Sequence, residues 1–224
     1  MKKQKITEII KEIYHRLIDE YGLSGWWEGK NSIEILAGVL LSQDSTHIDA
    51  VKAVAKLKEA SLLDLHLWRT LDSEQINSVV KQEETPSGSV VLLRDIAEFM
   101  GIYEDSFVLL RAQGQTLVRK MLLSIRGLQK TTADAILLYV LEIPVFVIDD
   151  HTQIFLQRFG LLDEQATYEH SAAIFTENLP RLCDFYGEYH ALINCHTQKI
   201  CTNTPQCQHC FFNDICAYVL PLDK

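Results

Sequence analysis

Apolar positions recur along this chain with the spacing of helices. Near the start, Ile6, Ile9, Ile10, Ile13 and Leu17 fall on one face of "MKKQKITEIIKEIYHRLIDEYG" and predict an amphipathic helix. "YGLSGWWEGKN" then reads as a loop. "SIEILAGVLLSQ" predicts a strongly apolar helix with Ser32 as N-cap, and "DSTHIDAVKAVAKLKEA" another capped by Asp44 or Ser45. Weaker helical patterns run through "SEQINSVVKQ" and "SVVLLRDIAEFMG", separated by the break "EETPSG". "GQTLVRKMLLSI" and "TTADAILLYVLE" form a pair around "RGLQK". "DDHTQIFLQRFG" predicts a helix with Gly160 as its C′ glycine, and "YEHSAAIFTENL" and "LCDFYGEYHALINC" complete the series. No strand-type alternation and no internal repeat interrupts it, so the pattern predicts an all-α protein.

At 224 residues the chain has room for one large domain or two small lobes. Composition changes this picture little: 47% hydrophobic and 23% charged is ordinary for a globular protein. No apolar run reaches the roughly eighteen residues of a membrane span, and the basic start lacks the apolar core of a signal peptide. The expectation is a cytoplasmic protein with no membrane partner and reduced cysteines, which then point to metal or chemistry before disulfides. A net charge of -9 excludes a surface coated in DNA-binding charge, but leaves room for a local basic groove.

The terminal stretch "ICTNTPQCQHCFFNDIC" carries C-x5-C-x2-C-x5-C, formed by Cys201, Cys207, Cys210 and Cys216. Short turns bring thiolates to one centre at small closure cost. A zinc site usually pairs two C-x-x-C knuckles. One C-x-x-C flanked by two five-residue arms better suits a [4Fe-4S] cluster, with zinc as the alternative. Cys183 and Cys195 lack such spacing and read as small buried apolar residues.

"LLSIRGLQKTTADAILLYVL" predicts a helix–turn–helix hairpin with Gly127 at the tight turn. Such a turn is usually structural, and it is also a place where backbone N–H groups meet a phosphate. Arg126 and Lys130 flank it and supply local positive charge. Further on, Val145 to Ile148 lead into Asp149 and Asp150 at a helix start. A carboxylate there serves as an N-cap, or as a general base or cation stabiliser at the rim of an apolar pocket.

Taken together, "IRGLQKTTA", "IDDH" and the terminal four-cysteine loop resemble the endonuclease III family, the helix-hairpin-helix DNA glycosylases with a C-terminal iron–sulfur cluster. The resemblance covers nearly the whole chain. It implies two all-α lobes: residues 31–144 as a helical barrel carrying the hairpin, and 1–30 with 145–224 as a second lobe carrying the cluster loop 201–216. It also implies binding of damaged double-stranded DNA in the cleft between the lobes and extrusion of a base, since the glycosidic bond is unreachable in the stack; the protein is expected to be a monomer. "GVLLSQDST" looks like the family's early helix, which makes Gln43 the residue that fills the emptied space. Asp149 matches the catalytic aspartate, which stabilises the oxocarbenium-like sugar and positions or deprotonates a water. "SGWWEG" resembles a subgroup with relatives that act on alkylated purines.

The hairpin also departs from the family's common L-P-G-V-G-x-K-T-A. Gln129 replaces the second glycine, and Thr131 stands where bifunctional members keep their Schiff-base lysine. Lys130 is one residue early, a rotation of about 100° on a helix. Without that lysine, water is the default nucleophile. The expected function is therefore a monofunctional glycosylase acting on an alkylated purine. The alternatives are a bifunctional glycosylase/lyase for oxidised pyrimidines and a non-catalytic, lesion-sensing DNA-binding protein. Trp26 and Trp27 are candidate walls of the base pocket, because aromatic faces stack on cationic bases. Tyr139, Phe146 and Tyr189 read as core, and His47, His151 and His190 as polar helix residues. Lys52 and Lys56 read as a solvated helix face.

Overall fold

In a computed structural model the chain is described over residues 2–23, 30–80 and 87–220. These hold twelve α-helices: α1 Lys2–Tyr21, α2 Ser32–Leu41, α3 His47–Glu59, α4 Leu65–Thr70, α5 Ser73–Val80, α6 Ser87–Gly101, α7 Phe107–Arg111, α8 Gln115–Leu122, α9 Lys130–Ala135, α10 Asp150–Arg158, α11 Tyr168–Thr176 and α12 Cys183–Lys199. No strand occurs among the described residues. The chain divides into two compact units, residues 27–143 and residues 1–26 with 144–224.

Two expected caps move by a residue or two. Asn31 caps α2, accepting from Glu34 N–H at 2.9 Å, and Ser32 is already helical. Thr46 caps α3 through Asp49 N–H, after a 3-10 turn over Ser42–Asp44. Any short polar side chain can cap; the one that does so is the last extended residue before the helix, and Ser45, also extended, stands one position too early. The helix expected over "TTADAILLYVLE" is α-helical only to Ala135 and continues as a π-helical turn over Ile136–Val140. There Leu141 N–H donates to Ile136 O, and Glu142 follows at φ 50°.

In the unit of residues 27–143, Leu36, Leu40, Trp68, Leu93, Val118 and Leu137 are buried. Trp68 donates its indole N–H to Leu62 O at 2.6 Å, so the ring is buried without an unmet donor. Arg119 on α8 clamps the buried Asp134 on α9 at 2.6 and 3.0 Å, fixing the two arms of the hairpin.

In the other unit, Ile10, Ile13 and Leu17 form the buried stripe of α1, and α1 packs on α12. Tyr189 of α12 donates to Ile10 O at 2.7 Å. Phe146 stacks on Phe175 with ring centres 3.6 Å apart. Phe146 and Tyr189 are core, as expected, whereas Tyr139 is half-buried.

Gly160 ends α10 at φ 71°, and a Cβ there would meet Ala217 Cβ at 2.9 Å. The terminal loop is thus stitched to the end of α10, where Tyr218 N–H donates to Arg158 O at 2.9 Å. Gly160→Ala combines left-handed strain with this overlap. It is expected to cost about 1–3 kcal/mol in chemical denaturation, and an unchanged midpoint would contradict the close approach.

Candidate active site

Asp149 caps α10, and its Oδ1 accepts from Thr152 N–H at 2.7 Å. Its Oδ2 accepts from Asn194 Nδ2 at 2.7 Å and meets His190 Nε2 at 3.1 Å. His190 and Asn194 lie one turn apart on α12, so both face α10. Both are buried, while the Asp149 side chain stays 21% exposed. Burial pushes the carboxyl up. The His190 charge, its hydrogen bond, the Thr152 N–H and Asn194 outweigh that and hold it well below the usual carboxylate range. The result is an ionised carboxylate, braced on both oxygens and open to solvent on one side. Asp150 lies exposed at the first position of the helix, without that bracing.

His190, expected as an ordinary polar helix residue, and Asn194, which no motif marks, are thus both partners of the carboxylate. Their signal was present: a histidine and an asparagine at i, i+4 on the buried face of α12 need polar partners. His47 is half-buried and His151 is exposed.

The other unit carries the hairpin. Gly127 turns at φ 85°, while Gln129 sits at φ -81°, ψ 159°, which any residue adopts. Loss of the second glycine therefore costs this turn no strain. Gln43 is tied to the hairpin: its Nε2 donates to Gly127 O at 3.0 Å, and its Oε1 accepts from Gln129 N–H at 3.0 Å and Thr132 Oγ1 at 2.8 Å. Gln43, Gly127 and Gln129 are thus brought together, with Thr132 as a partner the sequence did not suggest. Arg126 and Lys130 are exposed on either side, and Thr131 is half-buried at the second position of α9. Trp26 and Trp27 lie outside the described residues.

Cys201, Cys207, Cys210 and Cys216 line one small cavity, and none is disulfide-bonded. Burial raises the Cys210 and Cys216 thiols, opposed by the backbone N–H of Phe212 on Cys210 and those of Tyr218 and Val219 on Cys216. Arg158 Nη1 reaches Cys201 O at 2.6 Å, Thr202 O at 2.8 Å and Cys201 Sγ at 3.2 Å. Arg16 fastens the same loop through Phe211 O and both oxygens of Asp214. Among the described residues no three His, Cys, Asp or Glu side chains are placed to hold a metal ion. Cys183 and Cys195 are half-buried rather than fully buried.

No protein-family profile matches the chain. It is 32% identical over 218 residues to a protein of Methanocaldococcus jannaschii provisionally named a DNA repair glycosylase, covering 96% of this chain and 99% of that one. Its fold is similar to that of endonuclease III in a trapped covalent complex with DNA, with a TM-score of 0.78 at 16% identity over 99% of this chain and 98% of the other. It is also similar to the H. pylori 3-methyladenine DNA glycosylase MagIII bound to 1,N6-ethenoadenine, with a TM-score of 0.71 at 21% identity over 88% and 97%. No helix among the described residues is long and apolar enough to cross a membrane. The matched length and the shared all-helical fold agree, and the chain belongs to the DNA repair glycosylases of the endonuclease III, helix-hairpin-helix type.

Proposed function

We propose that the protein is a monofunctional glycosylase that hydrolyses the N-glycosidic bond of an alkylated purine in damaged double-stranded DNA. The observation that carries this reading is Asp149, ionised and braced by His190, Asn194 and Thr152. A carboxylate of such low basicity is a poor proton acceptor. Its work is to face the positive charge that develops on the sugar as the base departs, and to orient the attacking water. Arg126 and Lys130 hold phosphates beside the hairpin, and Gln43 fills the emptied stack after leaving its three partners on the hairpin. The protein acts as a monomer.

Thr131, in the place of the family's lysine, supports hydrolysis by water, because an imine with the sugar carbon needs an amine there. The MagIII neighbour, which holds 1,N6-ethenoadenine, is in keeping with a modified purine as substrate. Single-turnover assays on duplexes with one lesion each are expected to release an alkylated purine and leave the strand intact until alkali is added. Borohydride trapping of a protein–DNA adduct would sink the monofunctional reading. Tight lesion binding without base release would favour the lesion-sensing alternative.

The ionised carboxylate also fixes a pH response. The folded pKa of Asp149 lies below its unfolded value of 3.8. Its contribution to stability is therefore present above that value and lost only as pH falls through the depressed one. Excision between about pH 8 and pH 5 should show no protonation limb from this group. A limb removed by Asp149→Glu would contradict that.

The terminal loop fits a [4Fe-4S] cluster. Four unbridged thiols line one cavity, and backbone N–H groups reach two of the sulfurs, those of Cys210 and Cys216. Donors aimed at sulfur suit an iron-bound thiolate, which accepts hydrogen bonds and has none to give. When bound, the group supplies a cross-link between the four cysteines and a one-electron redox centre.

A further inference from the structure

Tyr21, His196 and Cys210 form a hydrogen-bonded line. The Tyr21 hydroxyl is 3.0 Å from His196 Nδ1, and His196 Nε2 is 3.6 Å from Cys210 Sγ. His196 is 1% exposed and stands nearly edge-on to Phe155 and Phe212, with Phe211 at 5.0 Å. A phenylalanine would fill this aromatic box at no cost in buried polarity, so the imidazole calls for a reason. Its two nitrogens supply one, since each meets a polar partner at opposite ends of the ring.

We propose that the Tyr21–His196 pair tunes the iron–sulfur cluster through Cys210, favouring its more reduced state. This rests on the reading of the terminal loop as a cluster site. An iron-bound Cys210 sulfur has no proton and only accepts, so Nε2 must carry the hydrogen. Nδ1 is then the acceptor, and the Tyr21 hydroxyl donates to it. Tyr21 thereby selects the tautomer that aims N–H at the sulfur. A hydrogen bond to sulfur stabilises negative charge there, and the reduced cluster carries more of it. The surrounding phenylalanines exclude water and strengthen the effect. Arg158 at 3.2 Å from Cys201 Sγ would act in the same sense on another of the four sulfurs. His196 is a positioning residue by this account, with no part in excision.

The test compares wild type, His196→Phe and Tyr21→Phe as purified holoproteins, by iron and sulfide content and by protein-film voltammetry. Both variants should keep full iron and the visible absorbance near 400 nm characteristic of such clusters. Their potentials should shift to more negative values, further for His196→Phe than for Tyr21→Phe. Unchanged potentials at full iron content overturn the tuning role. If His196→Phe loses its iron, Tyr21→Phe decides alone, because it leaves the ring in place. A wild-type protein holding zinc, or no metal, overturns the cluster reading itself, and the tuning role with it.

Discussion

Asp149→Asn is expected to lower single-turnover excision by about 10²- to 10³-fold, the usual effect of removing one preorganised charge from a developing ion. The fold should survive. Asparagine caps a helix as well as aspartate, and its oxygen can still accept Thr152 N–H. What disappears is the negative charge and the acceptor for Asn194 and His190 on the second oxygen. The control is Asp150→Asn at the exposed neighbour, which should leave the rate within about twofold. Equal losses at the two positions, or no loss at 149 in a folded variant, would contradict the assignment.

On the proposed reading of the terminal loop as a cluster site, Cys207→Ser should abolish iron binding. Cys207 opens a 3-10 turn and is half-buried, so the change is sterically mild, yet a neutral hydroxyl is a poor ligand for iron that prefers thiolate. The expected result is loss of iron and visible absorbance, with stability reduced by about 3 kcal/mol, the closure entropy of a cross-linked loop of this size. Arg16 and Arg158 still hold parts of the segment, so the helices should stay intact while residues 200–220 become the first site of proteolysis. A variant that keeps its iron and its melting temperature would show that Cys207 is not a ligand.

Most of the helices are legible in the sequence because a 3.6-residue period is a local property. α4 and α7 leave no such trace: at six and five residues they span less than two turns, too little for a period to show. Gly160 was legible as a C′ glycine because φ 71° is costly for other residues. The caps at Asn31 and Thr46 were missed by a residue or two because each stands in a run of residues that cap almost equally well.

By itself, then, the sequence determined the all-helical class, the four-cysteine spacing, the glycine of the hairpin and the helix start at Asp149. Each is encoded in neighbouring residues or in a fixed spacing. Only the tertiary structure decided what surrounds them. His190 and Asn194 are 41 and 45 residues from the carboxylate they brace, and Gln43 is 84 from the Gly127 carbonyl it holds. Such contacts form because apolar faces pack first and the buried polar groups must then find partners across the core. No local pattern in the chain records which partner that will be.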